Sequence, residues 1–284
     1  MDIDVFTQIR LHFNNFTKAE KKVGDFVLNN PKEVLYMSIT DLADKCDVGD
    51  TSVFRFCKTL DLKGYQDFKM ILAQSLTSDT EEAQPLSDKI TINDTTFEVA
   101  KKVLQTNLSA LNETFDLINP EAVEEAVKLM LKAERIVFFG VGASMITSME
   151  AANKFMRITP KAECIIDSHL QSMRAALLTP NEVVVAISYS GSTKDTIDIV
   201  EIAKKRGTKI ICITRFIKSP LTAHSDITLL CGANEGPLQG GSLSAKLSQL
   251  YLLDVLYMEY FKNTFDQSKI NKELTSEAVS EKLY

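Results

Sequence analysis

The sequence has 284 residues, of which 45% are hydrophobic and 25% are charged, so it can form a sizeable core and is long enough for two domains. Its formal net charge of −6 gives no general attraction to nucleic acids or anionic membranes, so any DNA contact must come from a local basic patch. The N-terminus lacks a basic segment followed by an apolar stretch, and no apolar run reaches the ~18 residues of a membrane span. These features predict a cytoplasmic protein without membrane contact.

The cysteines are odd in number and widely spaced, and no two of them form a C-x-x-C pair. This pattern favours reduced, buried thiols over a disulfide framework or a zinc site. The sequence therefore predicts no metal centre. The five residues are Cys46, Cys57, Cys164, Cys212 and Cys231.

Residues 1–77 have helical patterns and little sign of strands. The capping box T-K-A-E at residues 17–20 predicts the start of one helix, and Pro31 predicts its end. Ser38 offers a cap for a short second helix. A tight turn then leads to a third helix, predicted over residues 50–60.

The two later helices and their turn predict a helix-turn-helix, whose second helix enters the major groove of DNA. Residues 1–77 hold ten Lys and Arg against eleven Asp and Glu, but residues 51–69 alone carry a net charge of +2. A helical bundle that binds proteins is the alternative. The inner stripe of the third helix is predicted to be Val53, Phe54, Cys57 and Leu60. Hydroxyl and basic side chains reach phosphates or base edges, and the candidate DNA-binding residues are Thr51, Ser52, Arg55, Phe56, Lys58 and Lys63.

The segments F-T-K-A-E-K-K-V-G-D-F-V-L-N-N-P-K-E-V, S-I-T-D-L-A-D-K-C-D-V and V-F-R-F-C-K-T-L-D-L-K-G-Y-Q-D-F-K closely resemble the N-terminal domain of the RpiR family of bacterial transcriptional regulators. The resemblance extends over residues 5–76. Gly49 stands where the family usually has a Ser cap, and Asp61 replaces a customary Gly after the recognition helix. Asp tolerates the left-handed conformation at some cost. These departures leave the expected fold unchanged, but we expect them to affect the orientation of the recognition helix and therefore the DNA sequence that it prefers.

Residues 78–94 are polar, acidic and interrupted by Pro85, which marks a linker between a domain of residues 1–77 and one of residues 95–265. A second capping box, T-T-F-E at residues 95–98, predicts the helix that follows. The helices at the start of the second domain either cover its sheet or carry a signal between domains. Residues 266–284 are predicted to be a polar tail.

From Arg135 onward, strand patterns alternate with helical ones, which predicts a doubly wound parallel five-stranded sheet of the α/β class. In such sheets the ligand site lies beyond the carboxyl ends of the strands. The predicted strands cover residues 135–139, 162–166, 183–187, 209–213 and 226–230.

Two hydroxyl-bearing loops follow predicted strands, G-V-G-A-S at residues 140–144 and S-Y-S-G-S-T at residues 188–193. Free N–H groups at a helix N-terminus, together with hydroxyls, suit an oxyanion. Met145 occupies the third glycine position of a dinucleotide fingerprint, and the nucleotide P-loop motif is absent, so no cofactor is predicted. An ordinary capped turn is the alternative interpretation of the second loop.

The segments F-F-G-V-G-A-S, D-S-H-L-Q, A-I-S-Y-S-G-S-T-K-D-T, T-R-F-I-K-S-P-L and E-G-P-L-Q-G-G-S-L-S-A-K-L-S-Q-L resemble the sugar isomerase (SIS) domain, over residues 100–262. The resemblance implies a bound sugar phosphate. Gln239 and Lys246 stand where many members of the family have Arg, which bears on how the sugar is recognised. The effector-binding residues that the resemblance implies are Gly142, Ser144, Ser188, Ser190, Gly191, Ser192, Thr193, Glu235 and Ser242.

Two hypotheses of function follow. The first, which the recognition-helix match and the polar linker favour, is a transcriptional regulator of sugar metabolism genes that binds a double-stranded DNA operator and a phosphorylated sugar effector, and is not an enzyme. The alternative is a phosphosugar isomerase with an N-terminal helical docking module. Isomerisation needs a general base, for which His169 and Glu235 are the candidates.

Residues 244–261 carry more apolar side chains than one helix face needs. Core packing is one explanation, and a subunit interface is the other. Because one helix-turn-helix covers only a half-site, and because SIS domains typically pair, we expect a homodimer or a dimer of dimers.

Overall fold

The computed structural model describes residues 4–78, 90–233, 235, 244–280 and 282. The chain divides into two units, the first comprising residues 1–109 and 234–243 and the second residues 110–233 and 244–284. Most of the predicted linker and the predicted effector residue Ser242 lie outside the described residues. None of the described helices is both long and apolar enough to cross a membrane.

The first unit is helical up to Ser78; the capping box predicted at Thr17 and the cap predicted at Ser38 are confirmed, and Ser38 also forms a capping box. In each box the hydroxyl accepts an N–H bond from the residue three positions on, whose carboxylate accepts the N–H of the capping residue in return. The helices are α1 (Val5–His12), α2 (Lys18–Asn29), α3 (Pro31–Val34), α4 (Ile39–Lys45), α5 (Asp50–Thr59) and α6 (Tyr65–Ser78).

Two aspartates in the left-handed region bound the stretch that contains α5. Asp47, at φ 51°, turns the chain between α4 and α5, and Asp61, at φ 59°, follows the end of α5. Gly49 is the N-cap of α5 and, having no side chain, leaves its first turn without a side-chain cap. The expectation that Asp61 occupies the left-handed position of a helix C-terminus is confirmed.

The apolar side of α5 differs from the predicted stripe by one residue. Phe56 is fully buried, and its ring contacts those of Phe16 and Phe68 at centroid distances of 5.2 and 5.5 Å. Phe54 is 45% exposed. The prediction that Phe56 lies on the DNA-facing side is therefore wrong, because Phe56 packs in the core and Phe54 takes the outer position.

The second unit contains the predicted five-stranded parallel sheet, in the order β2-β1-β3-β4-β5. Each strand begins and ends within two residues of its predicted bounds. The strands are β1 (Ile136–Gly140), β2 (Ala162–Cys164), β3 (Val183–Ile187), β4 (Lys209–Thr214) and β5 (Ile227–Leu230). The helices are α7 (Thr96–Asp116, which contains the division at Ser109), α8 (Pro120–Lys132), α9 (Ala143–Met156), α10 (Ser168–Ala176), α11 (Lys194–Lys205), α12 (Ser244–Asn263) and α13 (Phe265–Ser280).

Alternate side chains of β1, β3 and β4 enter two separate apolar cores, one on each face of the sheet. Phe138 and Val185 pack with α8, α9 and α12, whereas Phe139 and Val184 pack with α10 and α11. A strand that is buried on both faces has a continuous apolar sequence, which is why V-V-V-A-I in β3 was recognisable.

The segment predicted to be a polar tail is helical from Phe265 to Ser280. Ser268 is fully buried in α13, and Asn271 donates a side-chain hydrogen bond of 2.8 Å to the carbonyl of Ile158. These contacts attach α13 to the end of α9. Its outer surface remains mostly polar, which explains why the sequence pattern did not indicate a packed helix.

The thiols are free, as expected, and four of the five are buried. Burial raises the pKa of Cys57, Cys212 and Cys231 to about 12. These thiols are therefore protonated at neutral pH and act as small apolar side chains of the cores.

We expect Phe56→Ala to destabilise the first unit by about 3–5 kcal/mol, since it removes a fully buried ring. Phe54→Ala makes the same change two positions away at an exposed site and should cost less than about 1 kcal/mol. Urea denaturation followed by far-UV circular dichroism measures both losses. Equal losses would contradict the assignment of the two faces of α5.

Candidate functional site

The two hydroxyl-bearing loops lie side by side at the carboxyl edge of the sheet. β1 and β3 are neighbouring strands, and their last residues, Gly140 and Ile187, are register partners. The connection after β1 runs to β2 on one side, while β3 continues to β4 on the other side. Such a reversal of strand order opens a crevice at the carboxyl ends, where ligands of doubly wound sheets bind.

Glycine permits the tight turn from β1 into α9. A Cβ atom on Gly140 would lie 2.6 Å from the carbonyl oxygen of Ser144, so the first turn of α9 could not approach the strand. Gly142 is the N-cap of α9 and has φ 62°, which favours glycine. Ser144 is half-buried in the first turn of that helix.

The loop after β3 is held by its own hydroxyls. Ser188 is buried, and its Oγ lies 3.3 Å from Oγ1 of Thr193 across the turn. The amide of Ser192 donates to Oγ of Ser190 at 3.2 Å, and Oγ of Ser192 donates to the carbonyl of Ser190. These contacts gather the four predicted hydroxyl groups of the loop into one short turn.

The same loop is fixed to the chain that follows β4. Gly191 has φ 60°, and its carbonyl accepts the amide of Leu221 at 2.9 Å. A Cβ atom at this position would lie 2.2 Å from Oγ of Ser219, so any residue other than glycine would displace Ser219. The carbonyl of Tyr189 accepts Oγ1 of Thr214 at 3.2 Å, and its hydroxyl donates to the carbonyl of Ala233. The loop is therefore positioned on both sides before any ligand arrives.

The helices that leave these two loops begin without side-chain caps. Gly142 has no side chain to offer α9, and Thr193, the N-cap of α11, makes no capping bond. In α9 the amide of Met145 donates to the carbonyl of Gly142 at 3.1 Å, and no N-cap side chain satisfies the other first-turn N–H groups of either helix. By contrast, Oδ1 of Asp167 accepts the amide of Leu170 at 2.9 Å and caps α10.

Two polar side chains that the sequence did not single out lie next to this site. Gln171, fully buried in α10, donates from Nε2 to the carbonyls of Gly140 at 2.9 Å and Ile165 at 2.7 Å, which ties the ends of β1 and β2 together. Thr196 is buried in the first turn of α11. Oε1 of Gln171 and Oγ1 of Thr196 have no hydrogen-bond partner among the described residues. In the sequence, the one sign of these two residues is that they lie in the D-S-H-L-Q and S-T-K-D-T segments that resemble the SIS domain.

The two candidate general bases differ in exposure. Glu235 is buried and belongs to the first unit. The side chain of His169 is 94% exposed, with Nδ1 4.0 Å from Oδ1 of Asp167. In the described part of the chain, no three His, Cys, Asp or Glu side chains converge as a metal site.

The exposed face of α5 carries most of the predicted DNA-binding residues. Thr51, Arg55 and Lys58 are exposed and lie within two turns of one another, Ser52 is half-buried, and Lys63 is exposed beyond the helix. Lys69, which contributed to the local positive charge in the sequence, is buried and donates from Nζ to the carbonyl of Met37 at 3.0 Å. Burial lowers the pKa of Lys69 to about 8, which leaves it mostly protonated at neutral pH, but its buried ammonium group is not part of the exposed face.

Comparison with known protein families matches both units. Residues 3–79 match the model described as the helix-turn-helix domain of the rpiR family, and residues 129–259 match the SIS domain. A protein of Haemophilus influenzae, named as an uncharacterized HTH-type transcriptional regulator, is 33% identical over 98% of this chain and 97% of its own length. A second one, from Caldanaerobacter subterraneus subsp. tengcongensis, is 33% identical with the same coverage.

A solved structure is similar over the full length. The Vibrio vulnificus NanR protein complexed with ManNAc-6P has a TM-score of 0.85 and 30% sequence identity, covering 98% of this chain and 99% of that one. Together these matches extend the two resemblances found in the sequence to the whole chain. The protein therefore belongs to the RpiR family of transcriptional regulators, with an N-terminal helix-turn-helix domain and a SIS domain.

Proposed function

We propose that the protein regulates genes of sugar metabolism in the cytoplasm, that it binds a DNA operator through α5, and that its SIS domain binds a phosphorylated sugar as effector. The observation that carries the effector proposal is the cluster of hydroxyl groups between two uncapped helix N-termini. Donors of this kind stabilise a dianion and gain little from a neutral sugar. The NanR structure, solved with ManNAc-6P, supports the same ligand class.

In this proposal Ser144, Ser188, Ser190 and Thr193 hold the phosphate, and Gly191 lets the backbone approach it. Gly142 and Ser192 complete the two loops around the phosphate. Glu235 and Ser242 remain proposed contacts to the sugar.

We expect the double change Ser188→Ala with Ser190→Ala to abolish effector binding. Each hydroxyl bonded to a charged acceptor contributes roughly 1.5–3 kcal/mol, or about ten- to 150-fold in affinity. Calorimetric titration with ManNAc-6P, a panel of other sugar phosphates and their unphosphorylated parents measures this loss. Ser225→Ala, which removes a hydroxyl bonded to the carbonyl of Thr222 near the start of β5, is the control and should bind as the wild type does. Equal binding of phosphorylated and unphosphorylated sugars by the wild type would contradict the phosphate site.

The DNA proposal depends on the exposed cationic side chains of α5. Arg55→Ala and Lys58→Ala should each weaken binding to a duplex that the wild type selects from a random library, and each should lower the salt dependence by about one phosphate contact. Gel shifts over a range of salt concentrations measure both quantities. Lys32→Ala removes an exposed charge from α3 and should change neither. Unaltered affinity and salt slope in both α5 variants would exclude the helix from the interface.

We propose that the protein is not an enzyme. An isomerase needs a general base over the sugar, and the ring of His169 is exposed without a close hydrogen-bond partner among the described residues. The two full-length relatives are named as regulators. Turnover of hexose or pentose phosphates in a coupled assay would establish the isomerase alternative instead.

We further propose that the chain pairs with itself through the β2 edge of the sheet. The apolar side chains of α12 are largely used in the core, where Leu252, Leu253 and Leu256 are buried. Exposed apolar side chains instead lie on α9, which leads into β2, and in the stretch from the end of β2 to the C-cap of α10. At about 100 Å² each, they amount to about 700 Å², close to the ~800 Å² per partner of a standard interface. These residues are Ile146, Met149, Met156, Ile166, Leu170, Met173 and Leu177.

We expect Met149→Glu with Met173→Glu to dissociate the assembly, because a self-complementary interface would bury both new charges twice. Sedimentation equilibrium at micromolar concentration should give a dimer or tetramer for the wild type and a smaller species for the variant. Leu274→Glu places a charge on an exposed apolar position of α13 and should leave the mass unchanged. A monomeric wild type that still binds DNA tightly would contradict self-pairing, and dissociation by Leu274→Glu would move the interface to α13.

A further inference from the structure

Phe54 is an apolar group in the middle of a polar, cationic helix face. It shares the outer side of α5 with Thr51 one turn earlier, Lys58 one turn later and Arg55 beside it. Among the phenylalanines of residues 4–78, Phe54 is the most exposed, with 45% of its surface accessible. Exposure of a ring of this size to water is unfavourable, and a partner that covered the ring would gain free energy of binding.

The ring of Phe54 is held in place by its neighbours. A Cβ atom on Gly64 would lie 3.4 Å from Cε2 of Phe54, in van der Waals contact, so one edge of the ring lies beside position 64. Nζ of Lys58 lies 5.4 Å from the ring centroid, within the range of a cation–π contact. The ring therefore has two neighbours on the outer side of the helix, Gly64 at its edge and the ammonium group of Lys58 near its centre.

The charges around this ring select the class of partner. Arg55, Lys58 and Lys63 are exposed cations on or just beyond α5, which suit the phosphates on both sides of a groove. In the major groove the only apolar group on a base edge is the C5 methyl of thymine, and aromatic side chains contact it. A partner that satisfies the cations and the ring together is duplex DNA with a thymine opposite Phe54.

We propose that Phe54 contacts a thymine methyl group in the operator and so determines one position of the recognised sequence in each half-site. This inference rests on the proposed DNA binding by α5. It assigns to Phe54 the place on the outer face that the sequence had given to Phe56. Arg55 and Lys58 then position the helix on the backbone, while Phe54 distinguishes bases.

The test removes the methyl group alone. A duplex that the full-length protein selects from a random library is resynthesised with each thymine replaced in turn by deoxyuridine, and affinities are measured by fluorescence anisotropy. Wild type should lose about fourfold at one position per half-site, the factor expected for one buried methyl group. Phe54→Ala should bind the unmodified duplex at least fourfold more weakly and should show no further loss with deoxyuridine at that position. Phe54→Leu, which keeps an apolar contact, should retain the sensitivity.

The outcomes are distinguishable. Wild type that is insensitive to deoxyuridine at every position, or Phe54→Ala that remains sensitive at the same position, would overturn the inference while leaving DNA binding by α5 intact. If Phe54→Ala bound all duplexes with the affinity of the wild type, the inference would also be overturned, and the exposed ring would then be a candidate contact for a protein partner. Failure of the wild type to select any duplex would overturn both the inference and the DNA-binding proposal. Unfolding curves of the variants exclude loss of fold as the cause.

Discussion

The parallel pairing of β1 with β3 is the constraint on which the candidate effector site depends. Because Gly140 and Ile187 are register partners, both strands end at the same level and their loops emerge next to each other. A shift in register would separate Ser144 from Ser188 and would also move each apolar side chain to the opposite face. The two cores on the faces of the sheet therefore fix the distance between the loops.

The candidate site combines two helix N-termini that have no side-chain cap with small hydroxyl side chains. Glycine occupies positions 140 and 191 because a Cβ atom there would clash with Ser144 and Ser219, and it suits position 142 because φ is 62° there. The hydroxyls add donors without adding bulk or a permanent charge. Such a site needs no lysine or arginine of its own, because two helix N-termini supply the positive potential.

The fold could be predicted largely from the sequence, since buried β-branched runs and capping boxes are local signals. The faces of α5 could not, because Phe54 and Phe56 each fit a helical stripe that contains Val53, Cys57 and Leu60. Tertiary packing against Phe16 decides between them. Long-range polar contacts were also beyond prediction.

Arg174 is an example of such a contact. It donates to Glu163 at 2.8 Å and also pairs with Glu182, so it joins β2 to the turn before β3. Burial raises the pKa of Glu182, but its bonds from Arg174 and Thr179 outweigh this and lower it. No spacing rule connects these three residues, since the partners lie on separate elements. Gln171 escaped prediction for the same reason.

Asp61 has a consequence for how the DNA-binding domain can change. At φ 59° every residue with a Cβ atom is strained by about 1 kcal/mol relative to glycine. Aspartate and glycine codons differ by a single nucleotide, so the relieving substitution is always within reach of mutation. The domain with aspartate at this position is therefore less stable than it could be. A destabilising substitution in the recognition helix can be compensated by the single change of Asp61 to glycine.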